Sequence, residues 1–356
     1  METLIDWISA GQTFAFDDLV FWQGKGALPF GSVAARIDTI VLGPHAGARF
    51  PAELQPFIDP ALTRRKQYDY SDVITGSLGR AWAAADPGVV FVECPHARVV
   101  LDPNRAPPTD AIVNLRAFFD RLQRQRAGES VGFAGVDAIR PITFSGETVL
   151  RQPASEAEWA ALAAALAAAR SLGHDAYRSV GDEVIEMVLE KRLKNATLMV
   201  VGLHDTMNTK MRADGALVLE RPVADRLPAL VNFGNKGDAS GEFVSDSLSL
   251  DAAAMRRVAG AWAQGFKLDA TAQATAITLN HPYAGGYEIG HYGAILAASQ
   301  RPHVGAFQVE FLREALLGPA ATAHLHLPGG DWPAVDEAHL KGVVSALVEA
   351  GRLLRA

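Results

Sequence analysis

Two histidines lie at the ends of apolar, strand-like segments. His45 comes shortly after residues 37–42, and His204 comes directly after residues 197–203. Because the carboxyl ends of parallel strands meet at one edge of a sheet, we expect the two imidazoles to lie close together. Catalytic zinc commonly binds three protein ligands, often two histidines and a carboxylate, and leaves a position for water. The spacing therefore predicts a site for one Zn²⁺, or another divalent ion, per chain. The alternative for either residue alone is a hydrogen-bonded structural histidine.

The third ligand of such a site would be an acid, and the segment YDYSD offers two. Asp69 and Asp72 lie just before or within the start of a helix predicted over 71–84. From that position the side chain of Asp72 can point back toward the sheet edge. The alternative for both acids is a helix N-cap or a solvated carboxylate.

Glu310 lies within an otherwise apolar strand predicted over 306–311. A carboxylate there is costly unless it is paired, hydrogen-bonded or protonated. Burial raises the pKa of a carboxyl group, which suits a general acid or base. The alternatives are an edge-strand glutamate that faces water and an ion pair with Arg313.

The segment DPNR at 102–105 carries side chains that suit an anionic ligand. The planar fork of Arg105 can bind a carboxylate, and Asn104 adds amide donors beside it. Arg98 begins the segment RVVL, predicted as a strand over 98–101, and can reinforce the same positive patch. The alternative is a surface turn, since Asp-Pro-Asn is typical of turns.

A glycine-containing segment, NHPYAGGY at 280–287, is predicted to form a loop over the pocket in which the substrate would bind. Its candidate substrate-binding residues are Asn280, Tyr283, Gly285 and Gly286, the glycines allowing the backbone to approach a ligand closely. Two further segments, 102–109 and 232–243, are also predicted as loops.

Strand-like and helix-like segments alternate along the chain, and this alternation must position the polar residues. The predicted strands are 37–42, 89–93, 98–101, 197–203, 273–279 and 306–311, and the predicted helices are 71–84, 155–170, 182–194, 251–266 and 336–354. The pattern predicts an α/β fold, a three-layer α/β/α sandwich around a mixed, mostly parallel central sheet. We expect an N-terminal extension over 1–36, packed on a single α/β domain over 37–356.

Composition excludes several classes of protein. The chain has 356 residues and a net charge of −7 without a long basic stripe, which argues against nucleic-acid binding. Glu2 and Asp6 precede any apolar run, and no segment is long enough to span a membrane, so we expect a cytoplasmic protein with no membrane partner. Its single cysteine, Cys94, excludes an internal disulfide, and Cys94 with His96 offers only a weak case for a thiol hydrolase.

An ordered set of segments resembles the N-formylglutamate amidohydrolase family, which is related in fold to the zinc carboxypeptidases. The matching segments are IVLGPHAG at 40–47, SDVITGSL at 71–78, RVVLDPNR at 98–105, GVDAIRPITFSG at 135–146, LHDTMN at 203–208, NHPYAGGY at 280–287 and FQVEFLREAL at 307–316. Each segment alone is weak, but their order along most of the chain is specific.

The resemblance implies roles for the metal set and the base. His45 and His204 would bind zinc, with Asp72 as the preferred carboxylate ligand and Asp69 as the alternative. Glu310 would be the general base that activates water.

The resemblance also implies a substrate, which is a small anionic N-acyl amino acid. N-formyl-L-glutamate would be hydrolysed to formate and L-glutamate. Asn104 and Arg105 would bind a substrate carboxylate, and Arg98 would hold the second carboxylate or the oxyanion. The alternatives are another zinc amidohydrolase or carboxypeptidase-like enzyme that cleaves a different N-acyl amino acid or a peptide, and a non-catalytic binding protein. The sequence does not determine the oligomeric state.

The chain departs from the family pattern beside both histidines. Ala46 and Asp205 replace the serines that follow them, and Ala48 replaces an arginine, with Arg49 one place later. These changes do not alter the expected metal ligands. They do affect which acyl group and which substrate the site would accept.

Overall fold

The computed structural model describes residues 5–244 and 248–356; residues 1–4, which include Glu2, and 245–247 lie outside it. Among the described residues the strands are β1 (Trp7–Ile8), β2 (Val20–Trp22), β3 (Thr39–Gly43), β4 (Phe50–Pro51), β5 (Val89–Glu93), β6 (Leu198–Thr206), β7 (Thr209–Met211), β8 (Leu217–Glu220), β9 (Val231–Gly234), β10 (Ile277–Leu279) and β11 (Val304–Leu312). The α-helices are α1 (Phe16–Leu19), α2 (Phe30–Val33), α3 (Arg64–Asp69), α4 (Val73–Ala85), α5 (Ala111–Arg126), α6 (Glu156–Ala169), α7 (Asp175–Lys191), α8 (Ala252–Gly265), α9 (Ala270–Ala276), α10 (Tyr287–Ala298), α11 (Arg313–Leu317), α12 (Pro319–Leu325) and α13 (Glu337–Arg355).

Seven strands form the central sheet, in the order β10-β9-β11-β6-β3-β5-β2. Neighbouring strands are parallel except for the pairs β9/β11 and β2/β5, which are antiparallel. The predicted α/β class with a mixed, mostly parallel sheet is therefore confirmed. Because β3, β6 and β11 are parallel neighbours, their carboxyl ends lie together at one edge of the sheet.

Helices cover both faces of this sheet. In β3, Ile40 and Leu42 face a core formed with α7 and α10, while Val41 faces a second core formed with α4, α8 and α13. Successive side chains of a strand point to opposite faces, so a strand buried on both faces is apolar at nearly every position. The three-layer arrangement predicted from the continuous apolar runs is confirmed.

A third hydrophobic core lies beside the sheet. It includes a segment that was predicted as a strand and is not one. It is built from α5, which the sequence patterns did not reveal, together with α6 and the segment 97–101. Residues 98–101 form a turn, in which the Val100 amide donates to the carbonyl of Ala97. The predicted strand there is wrong because the apolar run reflects burial in this third core.

Two further boundaries differ from the sequence predictions. Residues 270–276 are helical rather than extended, since the side chain of Asp269 caps the helix by accepting from the Ala272 amide; only Ile277–Leu279 pairs in the sheet. Val231–Gly234 is a strand although its Asn-Phe-Gly sequence is typical of a loop, because β10 and β11 pair with it on either side.

The first 36 residues contribute to the sheet through β2, which pairs with β5. Phe30 and Val33 of α2 are buried in the core that contains α7. The division into an extension over 1–36 and a domain over 37–356 stays a prediction. Within the described ranges, no helix combines the length and the apolar character that crossing a membrane requires.

Candidate metal and catalytic site

His45 lies on a tight loop that follows β3. The loop packs directly on the chain after β5, where a Cβ at Gly47 would lie 2.5 Å from the carbonyl oxygen of Cys94. Glycine is therefore required for this close approach. The amide of Asp72 donates to the carbonyl oxygen of His45 at 3.0 Å, so the loop and the start of α4 are joined by a backbone hydrogen bond.

His204 and Asp72 reach the same point from β6 and α4. His204 lies inside β6, which continues to Thr206, rather than after the strand as predicted. Asp72 precedes α4, but its side chain does not cap the helix. It faces the two histidines instead, and all three residues are buried.

Three side-chain atoms of these residues converge. The Nδ1 atoms of His45 and His204 lie 3.1 Å apart, and each lies 3.1 Å from Oδ2 of Asp72. Nε2 of His45 lies 2.6 Å from Oδ1 of Asp102, which favours the tautomer with its proton on Nε2 and a lone pair on Nδ1. That lone pair then faces a carboxylate oxygen, so the donor set fits a cation shared by the three atoms. His45, Asp72 and His204, which we call the metal group, can therefore hold a metal ion.

Asp102 and Arg98 contact His45 and Asp72 through the atoms that do not converge. Nη2 of Arg98 donates to Oδ1 of Asp72 at 2.7 Å. Burial acts to raise the pKa of Asp72, but Arg98 and His45 outweigh it and hold that pKa well below its usual range. Burial and Arg98 act to lower the pKa of His45, but Asp102 and Asp72 outweigh them and raise it. Asp72 thus stays ionised, as a metal ligand must.

Asp69 does not join the two histidines. Its Oδ2 accepts from the Ser145 hydroxyl at 3.3 Å, and its Oδ1 lies 3.6 Å from Nη1 of Arg313. Arg313 also donates through Nε to Asp205 and, at 2.7 Å, to the carbonyl oxygen of Ser71. Asp205, which replaces a serine of the family pattern, therefore belongs to a buried ion-pair network beside the site rather than to the metal group.

Replacing Asp205 by asparagine should lower the free energy of unfolding by about 3 kcal/mol, because it leaves the buried guanidinium of Arg313 with fewer anionic partners. Urea unfolding measures the change. The matched control is Asp214→Asn, which breaks an exposed pair with Arg212 and should cost less than about 1 kcal/mol. Equal losses in the two variants would contradict the assignment.

Glu310 projects toward the metal group from β11. That strand lies between β6 and β9, and Glu310 is the register partner of His204 in β6. The glutamate is 8% exposed and accepts from Nε2 of Gln308 at 3.1 Å, so the expected alternatives of an edge strand and an ion pair with Arg313 are not observed. Burial, with the charges of Asp72 and Asp205, raises the pKa of Glu310 to about 8.

A cavity of about 120 Å³ opens onto these groups. Its lining includes the metal group with Glu310, and also Asp69, Arg98, Asn104, Arg105, Phe144, Asp205, Thr206, Arg221, Tyr283, Gln308 and Arg313. Arg98, Asn104, Arg105 and Tyr283, four of the residues predicted to act on the substrate, therefore face one pocket.

The other predicted loop residues have different neighbours. Asn280 bonds to Asn235 and to the carbonyl of Asp238, which ties the loop to the chain after β9. A Cβ at Gly286 would lie 2.2 Å from Oδ1 of Asn104, and one at Gly285 would lie 2.2 Å from the side chain of Ile289. None of the three predicted residues is among the described residues that line the cavity.

Asn104 and Arg105 differ in how much of their side chains is available to a ligand. Asn104 Oδ1 accepts from the amide of Glu288, and its Nδ2 lies 3.2 Å from Oε1 of Gln308 and 3.3 Å from Nε2 of His204. These neighbours already engage most of its amide group. Arg105 donates through Nε to Asp137 at 2.7 Å, and 38% of its side chain is exposed.

Several residues that line or contact this site were not predicted from the sequence. The Asp102 carboxylate looked like part of a turn, and Gln308 alternates with apolar residues as Glu310 does, which was a usable signal. Arg221 follows β8 at the end of a hairpin, and Phe144 lies in an irregular segment; neither has a local pattern that reveals it. They enter the site only through tertiary contacts.

Cys94 does not form a nucleophile–base pair with His96. Its Sγ contacts the backbone carbonyl oxygen of His96 at 3.7 Å, while both ring nitrogens of His96 are buried without a hydrogen-bond partner among the described residues. Burial raises the pKa of Cys94 to about 12. A buried thiol with this pKa is a poor nucleophile.

A comparison with known protein families agrees with the resemblance seen in the sequence. The sequence profile described as "FGase: N-formylglutamate amidohydrolase" matches residues 37–317, whereas no curated protein matches the chain. Among solved structures, N-formylglutamate amidohydrolase from Ralstonia eutropha JMP134 is 15% identical, with 90% of this chain and 94% of that chain covered and a TM-score of 0.49. A gene product from Agrobacterium tumefaciens is 14% identical, with 90% and 92% covered and a TM-score of 0.49. Because the profile matches well over half of its residues, this chain belongs to the N-formylglutamate amidohydrolase family.

Proposed function

We propose that this protein is a metal-dependent amidohydrolase that cleaves the N-formyl amide of an acidic amino acid. N-Formyl-L-glutamate is the proposed substrate, and formate and L-glutamate are the products. The observation that carries the proposal is the buried convergence of His45, Asp72 and His204, with three ligand atoms at mutual distances of 3.1 Å, beside the carboxyl group of Glu310.

Zinc is the proposed ion, since two imidazole nitrogens and one carboxylate oxygen are a common set in catalytic zinc sites. Bound there, the ion would act as a Lewis acid that lowers the pKa of water and polarises an amide carbonyl. Asp102 would hold the His45 ring through Nε2, and Arg98 would hold Asp72 through Nη2, so that both ligands keep their orientation.

Glu310 is proposed to move the protons. Its carboxylate would accept a proton from water as the water oxygen adds to the formyl carbon. The resulting carboxylic acid would then donate that proton to the amine nitrogen as the C–N bond breaks. A cation held by the two histidines and Asp72 would lower the pKa of the neighbouring Glu310 and favour its carboxylate form.

Arginines of the pocket are proposed to orient the substrate. Arg105 has a partly exposed side chain and would bind a carboxylate, which would fix the scissile amide relative to Glu310. Arg98 already donates to Asp72, so we assign it mainly to positioning this ligand, with the oxyanion as a further partner. Asn104, Asn280, Gly285 and Gly286 would support the pocket through the contacts described above.

The proposal is tested by one preparation assayed for both metal and turnover. We expect about one zinc ion per chain and hydrolysis of N-formyl-L-glutamate that a chelator stops. Faster cleavage of N-acetyl amino acids or dipeptides would contradict the substrate, and a chain that binds metal without hydrolysing any substrate in this panel would contradict the activity.

Replacing Asp102 by asparagine should weaken zinc binding about 10- to 100-fold, because a neutral amide holds the Nε2–H of His45 less firmly than a carboxylate does. Competition with a fluorescent chelator measures the dissociation constant. Asp137→Asn is the matched control: it breaks the contact with Arg105 and should leave zinc affinity unchanged. Unchanged affinity in the Asp102 variant would contradict the supporting role.

A further inference from the structure

One of the arginines that line the cavity lacks an acidic partner. Arg98 pairs with Asp72, Arg105 with Asp137 and Arg313 with Asp205. Arg221 has no carboxylate within 4.0 Å among the described residues, although it is only 9% exposed. A buried cation without a direct ion pair is unfavourable. The charge of Arg221 acts on the Asp69 carboxylate, but Asp69 itself pairs with Arg313 at 3.6 Å, so Arg221 is left, within the described part of the chain, without a carboxylate in direct contact.

Among the residues that the structure describes, the Arg221 side chain hydrogen-bonds to a neutral group. Nη1 donates to the hydroxyl oxygen of Tyr283 at 2.7 Å, whereas the buried Nε has no hydrogen-bond partner among the described residues. Burial, with the nearby charge of Glu310, raises the pKa of Tyr283, so its hydroxyl keeps its proton at neutral pH. The pair therefore retains unused donors on both side chains.

The backbone holds these two side chains in place. The amide of Arg221 donates to the carbonyl of Asn208 at 2.9 Å, which fixes the end of the β7–β8 hairpin. The amide of Tyr283 lies 3.3 Å from Oδ1 of Asn232 in β9. A donor pair fixed by two separate elements is preorganised for a ligand.

We propose that Arg221, together with the hydroxyl of Tyr283, binds a carboxylate of the substrate. The inference rests on the proposed amidohydrolase function and adds a specificity determinant to it. A guanidinium binds a carboxylate with charge-assisted hydrogen bonds of fixed geometry, and the anion would neutralise the buried charge. An N-acylated dicarboxylic amino acid offers two carboxylates, one that Arg105 would bind and one that Arg221 would bind.

Substrate discrimination by the Arg221→Gln variant tests this subsite. N-Formyl-L-glutamate is compared with its side-chain amide and its α-amide. We expect kcat/KM for the dicarboxylate to fall about 10- to 100-fold, while the amide that lacks the carboxylate bound by Arg221 falls less than about threefold. The amide whose kcat/KM changes least identifies the carboxylate that Arg221 binds. An equal fall for all three substrates, or no fall, would overturn the proposal.

Matched variants separate recognition from folding. Arg221→Lys keeps the charge without the planar fork and should recover part of the loss, and Tyr283→Phe should cost less than Arg221→Gln. Arg212→Gln removes an exposed arginine of the same hairpin and should have no effect. Zinc content should be equal in all four variants.

Calorimetric binding of glutarate supplies a readout that does not depend on turnover. We expect Arg221→Gln to weaken glutarate binding at least about 10-fold relative to wild type. If the wild type hydrolyses no N-formyl substrate, the proposed function fails, yet this binding difference would still support the subsite. If glutarate binds wild type and variant equally, the subsite is wrong even where hydrolysis is robust.

Discussion

Glu310→Gln is expected to lower kcat by about 10³-fold while leaving zinc content unchanged. Glutamine keeps the size of the side chain and can still accept the hydrogen bond from Gln308, but it cannot accept a proton from water. General acid–base groups contribute about 10²- to 10⁴-fold to rates, so the loss should lie in that range. Stopped assays of formate release, together with metal analysis of the same sample, measure both quantities.

Cys94→Ala is the control for the competing thiol chemistry. Because Cys94 is buried and makes no contact with an imidazole nitrogen of His96, this variant should retain full kcat. A Glu310→Gln enzyme with more than a tenth of wild-type activity would exclude Glu310 as the proton carrier. Loss of activity in the cysteine variant, with the fold intact, would instead favour a covalent mechanism.

Removal of the metal should abolish turnover, and one equivalent of Zn²⁺ should restore it. The same binding should stabilise the folded chain, since an ion that binds only the native state adds about 4 kcal/mol when its free concentration is 1,000 times the dissociation constant. Thermal unfolding with and without Zn²⁺ measures this effect independently of activity. A chelated chain that keeps both its activity and its unfolding temperature would contradict the metal site.

Histidine variants show whether the stabilisation comes from the proposed ligands. His204→Ala removes one Nδ1 atom from the converging group and should eliminate the zinc-dependent rise in unfolding temperature. His291→Ala, on α10 outside the cavity lining, should retain that rise. Equal behaviour of the two variants would mean that zinc binds elsewhere on the chain.

The residue types at strand ends predicted that two histidines meet at one edge of the sheet. Continuous apolar runs marked β3, β6 and β11 as buried strands, and the carboxyl ends of parallel strands meet, so His45 and His204 were predicted as neighbours. Glu310 was singled out as an acid within an apolar strand, and only the family resemblance placed it beside the histidines. The same runs predicted helices on both faces of the sheet. An apolar run that marks a buried strand is a local pattern, which is why the sequence alone revealed these strands.

Only the tertiary structure decided which acid joins the histidines. Asp69 and Asp72 are three residues apart, and the path of the chain into α4 directs Asp72 to the imidazoles and Asp69 to Ser145 and Arg313. No local pattern encodes this difference, because it depends on the angle at which one helix meets the sheet.

The counter-ions of the arginines were likewise set by long-range contacts. Arg98 was expected to face the substrate, yet its guanidinium donates to Asp72. Arg221 had no signal in the sequence, and it lies in the pocket with no carboxylate within 4.0 Å among the described residues. Sequence determines that such charges exist. Whether a buried arginine is neutralised by the protein or left for a ligand depends on which side chains packing brings within about 4 Å, and that is a property of the folded chain.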